Sequence, residues 1–125
     1  MRSTSRVVSR LRLCFAALTC AYMLLQIINE ISDKHKYGCV KDMVGHGVGT
    51  VFHSAPPIFH TRNRQAGKMV PWQTFTIEPI FTVGDTRYRT WKDKWTMITK
   101  DGKRAAQCEH TVLITDKGHE ILTKL

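Results

Sequence analysis

Three donor residues at near-equal intervals constrain this chain more than any other feature. His46 stands in Gly45-His46-Gly47-Val48-Gly49, Glu78 closes Thr74-Phe75-Thr76-Ile77-Glu78 ahead of Pro79, and Glu109 lies in Gln107-Cys108-Glu109-His110-Thr111. The intervals are 32 residues (78 minus 46) and 31 residues (109 minus 78). Each is long enough for the donors to ride on separate strands and converge in one sheet. One imidazole and two carboxylates brought together form the donor set of a divalent metal site.

The flanks of each donor indicate how it is held. Glycines on both sides of His46 remove Cβ bulk and admit positive φ, so a tight loop with close backbone approach is expected there. Thr74, Thr76 and Glu78 alternate with Phe75 and Ile77, which puts the polar residues on one strand face, toward a cleft, and the apolar pair on the other. Pro79 biases Glu78 to an extended backbone and ends the ladder there. Gln107, Glu109 and Thr111 alternate likewise ahead of Val112-Leu113-Ile114, so a second carboxylate projects from a strand and Cys108 turns to the opposite face.

Taken together, the segments GHGVG, FHSAPPIFH, QTFTIEP, TWKDKWT and AAQCEHT resemble the C-terminal half of a type I methionine aminopeptidase, especially its organellar forms. The similarity is close from about Lys36 to Leu125 and begins weakly near Ile27. The resemblance implies an α+β architecture: half of the pita-bread fold, an antiparallel sheet with flanking helices, to which the apolar run ahead of it is expected to add an N-terminal helix. It makes residues 31–125 a truncated catalytic domain. By the same resemblance His46, Glu78 and Glu109 are metal ligands, with Glu109 bridging two ions and Glu78 also available as a general base. His53 would contact the scissile peptide and steady the developing oxyanion, Phe52 and Trp95 would line the methionine pocket, and Gln107 would lie close behind the ligands.

The implied reaction is metal-assisted hydrolysis that removes N-terminal methionine from nascent proteins. The donor chemistry suits Co, Mn, Fe or Zn. The family's remaining two ligands are aspartates from an N-terminal half. Only 45 residues (46 minus 1) precede His46, and Asp33 and Asp42 stand in the wrong segment to replace them. At most one weakly held ion, and impaired catalysis, are therefore expected of these residues. Three protein ligands plus water is nevertheless a usual catalytic zinc arrangement. Other departures from the family pattern are Lys92 in place of proline, Lys103-Arg104 in place of Gly-Pro, and Trp72 in place of the glycine after Pro71. Glycine serves there because a type II turn needs positive φ, so Trp72 is expected to be strained.

Residues 1–30 differ from the rest. Arg2, Arg6, Arg10 and Arg12 are mixed with serines, no acid precedes Glu30, and Leu13 to Ile28 is a run of 16 residues (28 minus 13, plus one) that is apolar apart from Thr19 and Gln26. The composition fits an organellar transit peptide, for plastid or mitochondrion, with a cytoplasmic protein the alternative. A signal anchor, a helix from Leu13 to Ile31 covering the sheet, and a divergent start stay open; the run falls short of the roughly 20 residues that cross a bilayer.

A half-fold predicts that the apolar faces of Phe75, Ile77, Ile80, Val112 and Ile114 lack a partner. This supports a competing reading: a non-catalytic interaction protein or relic that pairs with itself or with a full-length homologue, or binds ribosomes. The net charge of +9 points the same way, although its lysines and arginines are scattered along the chain, and no DNA partner is expected. Cys14, Cys20, Cys39 and Cys108 contain no CxxC pair and are read as reduced thiols. His35, His110 and His119 are read as surface or structural.

Overall fold

The computed structural model describes residues 20–65 and 67–124. The basic start, and the part of the expected apolar helix before Cys20, lie outside the described residues. Helix α1 spans Cys20–His35. Leu24, Ile27, Ile28 and Ile31 recur every three or four residues and form its inward stripe. Lys34 and His35 in the last turn complement the negative end of the helix dipole. The helix closes on a Schellman motif: the Tyr37 N–H donates to the Ser32 carbonyl at 2.9 Å and the Lys36 N–H to the Asp33 carbonyl at 3.2 Å, with Lys36 left-handed at φ 54°. No helix among the described residues is long and apolar enough to cross a membrane.

The strands are short: β1 Gly38–Cys39, β2 Gly45–Gly47, β3 Ser54–Ile58, β4 Thr74–Ile77, β5 Ile80–Thr82, β6 Tyr88–Thr90, β7 Met97–Thr99, β8 Ala105–Gln107, β9 His110–Thr115 and β10 Gly118–Ile121. They form a five-stranded sheet in the order β10-β9-β4-β2-β3, a three-stranded sheet β1-β5-β8 and the β6-β7 hairpin. All pairings are antiparallel, as expected. Where several flanking helices were expected, the described residues contain one.

That helix corrects a second expectation. The apolar sheet face is not unpartnered: Phe75, Ile77 and Val112 are fully buried in one cluster with Leu24, Ile27 and Ile28 of α1. Each such side chain contributes about 1.5–3 kcal/mol through burial. Ile114 packs against the cluster and Ile80 is half-buried. Of the readings open for the apolar run, a helix covering the sheet is the one that the described part, from Cys20, adopts.

The two larger sheets are parts of one bent ribbon. Ile77 of β4 faces His110 of β9, and Ile80 of β5 faces Gln107 of β8. Three steps forward on one strand match three steps back on the other, so the register runs unbroken through the joint. Glu78 and Pro79 therefore lie opposite Glu109 and Cys108. Both carboxylates sit in this joint rather than within strands, because Pro79 has no N–H with which to continue a ladder.

Candidate metal centre

The register sets Glu78 against Glu109 across the ribbon. Cross-strand partners share a face, and like charges directly opposite are destabilising unless something lies between them. His46 approaches from the next strand. It sits within β2, not on the tight loop expected of its glycines. The glycines serve strand packing instead: a Cβ on Gly45 would stand 2.2 Å from the Thr76 carbonyl oxygen, and one on Gly47 2.3 Å from that of Ala55. The backbones of β4 and β3 close on His46 from both sides, with a register shift between His46 and Gly47.

The ligand atoms of His46, Glu78 and Glu109 all lie within 4.8 Å of one another. Nε2 of His46 is 3.5 Å from Oε1 of Glu78. Bonds of about 2.0–2.2 Å from zinc to N or O require donor separations of roughly 3–3.4 Å, so this pair already stands near the distance a shared ion needs. Nδ1 of His46 lies 3.0 Å from the Gly47 carbonyl, an acceptor only. The proton therefore belongs on Nδ1, and the Nε2 lone pair faces the carboxylate, as in metal-ligating histidines whose other nitrogen binds a backbone carbonyl. The donor set and its orientation fit a divalent cation.

A further set of bonds holds Glu78. The Thr76 hydroxyl accepts the His46 N–H at 3.0 Å and donates to Oε1 of Glu78 at 2.8 Å, linking two of the donors through one side chain. Gln107 Nε2 donates to Oε2 at 3.2 Å, consistent with its expected place behind the ligands. The Glu78 N–H donates to Nε2 of His60 at 3.3 Å, and Nδ1 of His60 lies 3.4 Å from the Met43 carbonyl. His60 is 1% exposed, and burial pushes its pKa down to about 4. Sequence reasoning missed the roles of Thr76 and His60. Strand alternation flagged Thr76 as a facemate of Glu78, whereas His60 carried no local signal beyond following an apolar run.

The other expected site residues divide. His53 meets the His46 ring edge-on at a centroid separation of 4.3 Å, and Phe52 is 5.8 Å from it, so both border the donors. Phe52 is nonetheless 70% exposed. Trp95 lies between β6 and β7, 81% exposed, and is not among the rings packed on His46. Cys108 is free and half-buried. The Cys39 thiol is also free and faces the His60 carbonyl at 3.7 Å, and burial raises its pKa to about 11.

An antiparallel sheet that brings one imidazole and two carboxylates together at a joint has the makings of a divalent-metal centre. Residues 11–116 match the model of Metallopeptidase family M24, and the chain belongs to that family. It is 54% identical over 99 residues to methionine aminopeptidase 1D, chloroplastic/mitochondrial, of Arabidopsis thaliana, an alignment covering 79% of this chain and 28% of the relative. Methionine aminopeptidase 1B, chloroplastic, from the same plant is 59% identical over 97 residues, covering 78% and 26%. The crystal structure of methionine aminopeptidase from Thermotoga maritima superposes with a TM-score of 0.86 at 33% identity, covering 99% of this chain and 50% of that one. The X-Pro aminopeptidase of the same organism, at 23% identity and a TM-score of 0.55, shares the fold. The chain thus spans about a quarter of these curated relatives and half of the Thermotoga methionine aminopeptidase. The resemblance read from the motifs holds.

Proposed function

We propose that this chain carries the C-terminal part of a methionine aminopeptidase site and acts on the N-terminal methionine of nascent proteins. The observation that carries the reading is the approach of the His46, Glu78 and Glu109 ligand atoms to within 4.8 Å of one another. These three residues hold one divalent ion, Mn, Co, Fe or Zn, and hold it weakly. When bound, the ion supplies Lewis acidity for peptide hydrolysis.

The chain's own groups do the rest. Glu78, kept in place by Thr76 and Gln107, takes up the proton of the attacking water. His53, edge-on to His46, donates to the scissile carbonyl oxygen as negative charge develops there. Phe52 and Trp95 receive the methionine side chain. Trp95 does so on binding, since its ring is open to solvent in the free chain. An organellar location, plastid or mitochondrion, is supported by the names of the Arabidopsis relatives.

Release of free methionine from a Met-Ala-Ser peptide, with Mn or Co added, tests the reading against a Glu78→Ala control. Metal-dependent release that the control lacks is expected. Equal release by parent and control would overturn it.

A further inference from the structure

We infer that His60 is a positioning residue: its imidazole anchors the Glu78 main chain, and so sets the Glu78 carboxylate at the distance from His46 that a shared cation requires. The inference rests on the metal-site reading above. At the ribbon joint the ladder stops, so the Glu78 N–H has no strand partner. Buried main-chain donors are nearly always paired, and here the partner is a ring nitrogen, Nε2 of His60, at 3.3 Å. Nδ1 then carries the proton toward the Met43 carbonyl at 3.4 Å. Only the neutral ring with its proton on Nδ1 satisfies both bonds at once.

What the ring joins gives it this role. Met43 lies three residues before His46 (46 minus 43), in the segment entering β2, and Glu78 directly follows β4. One rigid side chain, 1% exposed, therefore spans the strands that carry two of the three donors. Both bonds are longer than the usual range of about 2.7–3.2 Å. Each contributes little to folding as glue, and what the ring supplies is direction. Thr76 ties the same two strands through its hydroxyl, so Glu78 is held at its carboxylate as well as at its main chain.

Gln and Asn separate this role from a merely structural one. The amide oxygen of Gln reaches roughly where Nε2 lies and accepts the Glu78 N–H, whereas Asn reaches only the position of Nδ1 and serves Met43. The experiment uses the full chain labelled with 15N. It records the 15N–15N coupling across the hydrogen bond between Glu78 N and His60 Nε2 without metal, hydrogen exchange of the Glu78 amide, zinc affinity by calorimetry, and thermal midpoints.

The coupling is expected in the parent chain. His60→Gln should keep Glu78 amide protection and bind zinc nearly as the parent does, while His60→Asn loses that protection and binds about 10–100-fold more weakly, with a thermal midpoint lowered by the unpaired Glu78 N–H. Absence of the coupling, or equal zinc affinity and amide protection in the Gln and Asn variants, overturns the inference. Should the parent bind no zinc, the metal-site reading fails, and the coupling with the Gln-against-Asn exchange contrast still decides whether His60 positions Glu78.

Discussion

The ribbon joint and the tip of the β6-β7 hairpin are both built on a carboxylate that gathers hydrogen bonds, and they differ in where those bonds come from. Asp93 at the tip accepts the N–H of Trp95 at 3.0 Å, the N–H of Thr96 at 2.9 Å and the Thr96 hydroxyl at 2.6 Å, all within three residues. These bonds, the Thr96 hydroxyl first, hold its pKa below the ordinary carboxylate value. Glu78 at the joint is held by Thr76 from its own strand, by Gln107 from 29 residues away and by His60 from 18 residues away. The tip assembles from its own sequence, whereas the joint exists only when β2, β4, β8 and the segment after β3 are all in place. The geometry of the candidate centre is therefore fixed by long-range bonds, and that of the tip by local ones. The tip exposes Trp91, Trp95 and Met97.

The largest effect that separates the two regions is a core truncation. Phe75 is fully buried between α1 and the sheet and stands in β4, the strand that leads into Glu78. Phe75→Ala should cost about 3–5 kcal/mol and abolish zinc binding with the fold. Trp95→Ala should stay within about 0.5 kcal/mol in urea titrations, since the ring is 81% exposed. Equal losses in the two variants would mean that the tip is packed into the fold and the contrast is false.

These differences explain what the sequence made legible. Alternation in Thr74–Glu78 and Gln107–Thr111 put the carboxylates on one ribbon face, because strand periodicity is a local property. The glycines around His46 announced close approach, but not whether a loop or two neighbouring backbones demanded it; that depends on β3 and β4 arriving from elsewhere in the chain. His60 was silent for the same reason, its partners being residues 43 and 78. Covering of the sheet by α1 was only one of several readings of the apolar run. Hydrophobicity identifies a segment that needs burial without saying what buries it.

Trp72 was legible in full, and it gives an intermediate effect. It stands at φ 69° in the turn from Val70 to Gln73, closed by the Gln73 N–H to the Val70 carbonyl at 3.2 Å. The left-handed non-glycine residues among those described are Lys36, Trp72 and Lys94, on connections outside the joint. The indole is 70% exposed, so replacing it forfeits little packing. Trp72→Gly should raise stability by about 1 kcal/mol, the relief of a left-handed side chain outweighing added chain entropy. A lower thermal midpoint would show that the ring contributes more contact than its exposure suggests.

The smallest effect probes the joint itself. Without metal, Glu78 and Glu109 face each other as like charges, and Glu109, exposed, has no hydrogen bond among the described residues comparable to those on Glu78. Glu109→Gln keeps the shape and removes one charge. Opposed charges of this kind cost a few tenths to about 1 kcal/mol across a strand pair, so the variant should be slightly more stable than the parent in chelator while binding zinc more weakly. The order should reverse when zinc is added, because a ligand bound only by the folded parent stabilises it by mass action. That reversal belongs to a joint that needs a cation between its carboxylates. If Glu109→Gln were less stable than the parent in chelator and indifferent to zinc, Glu109 would be a structural acceptor, and the joint would be braced by hydrogen bonds alone, as the hairpin tip is.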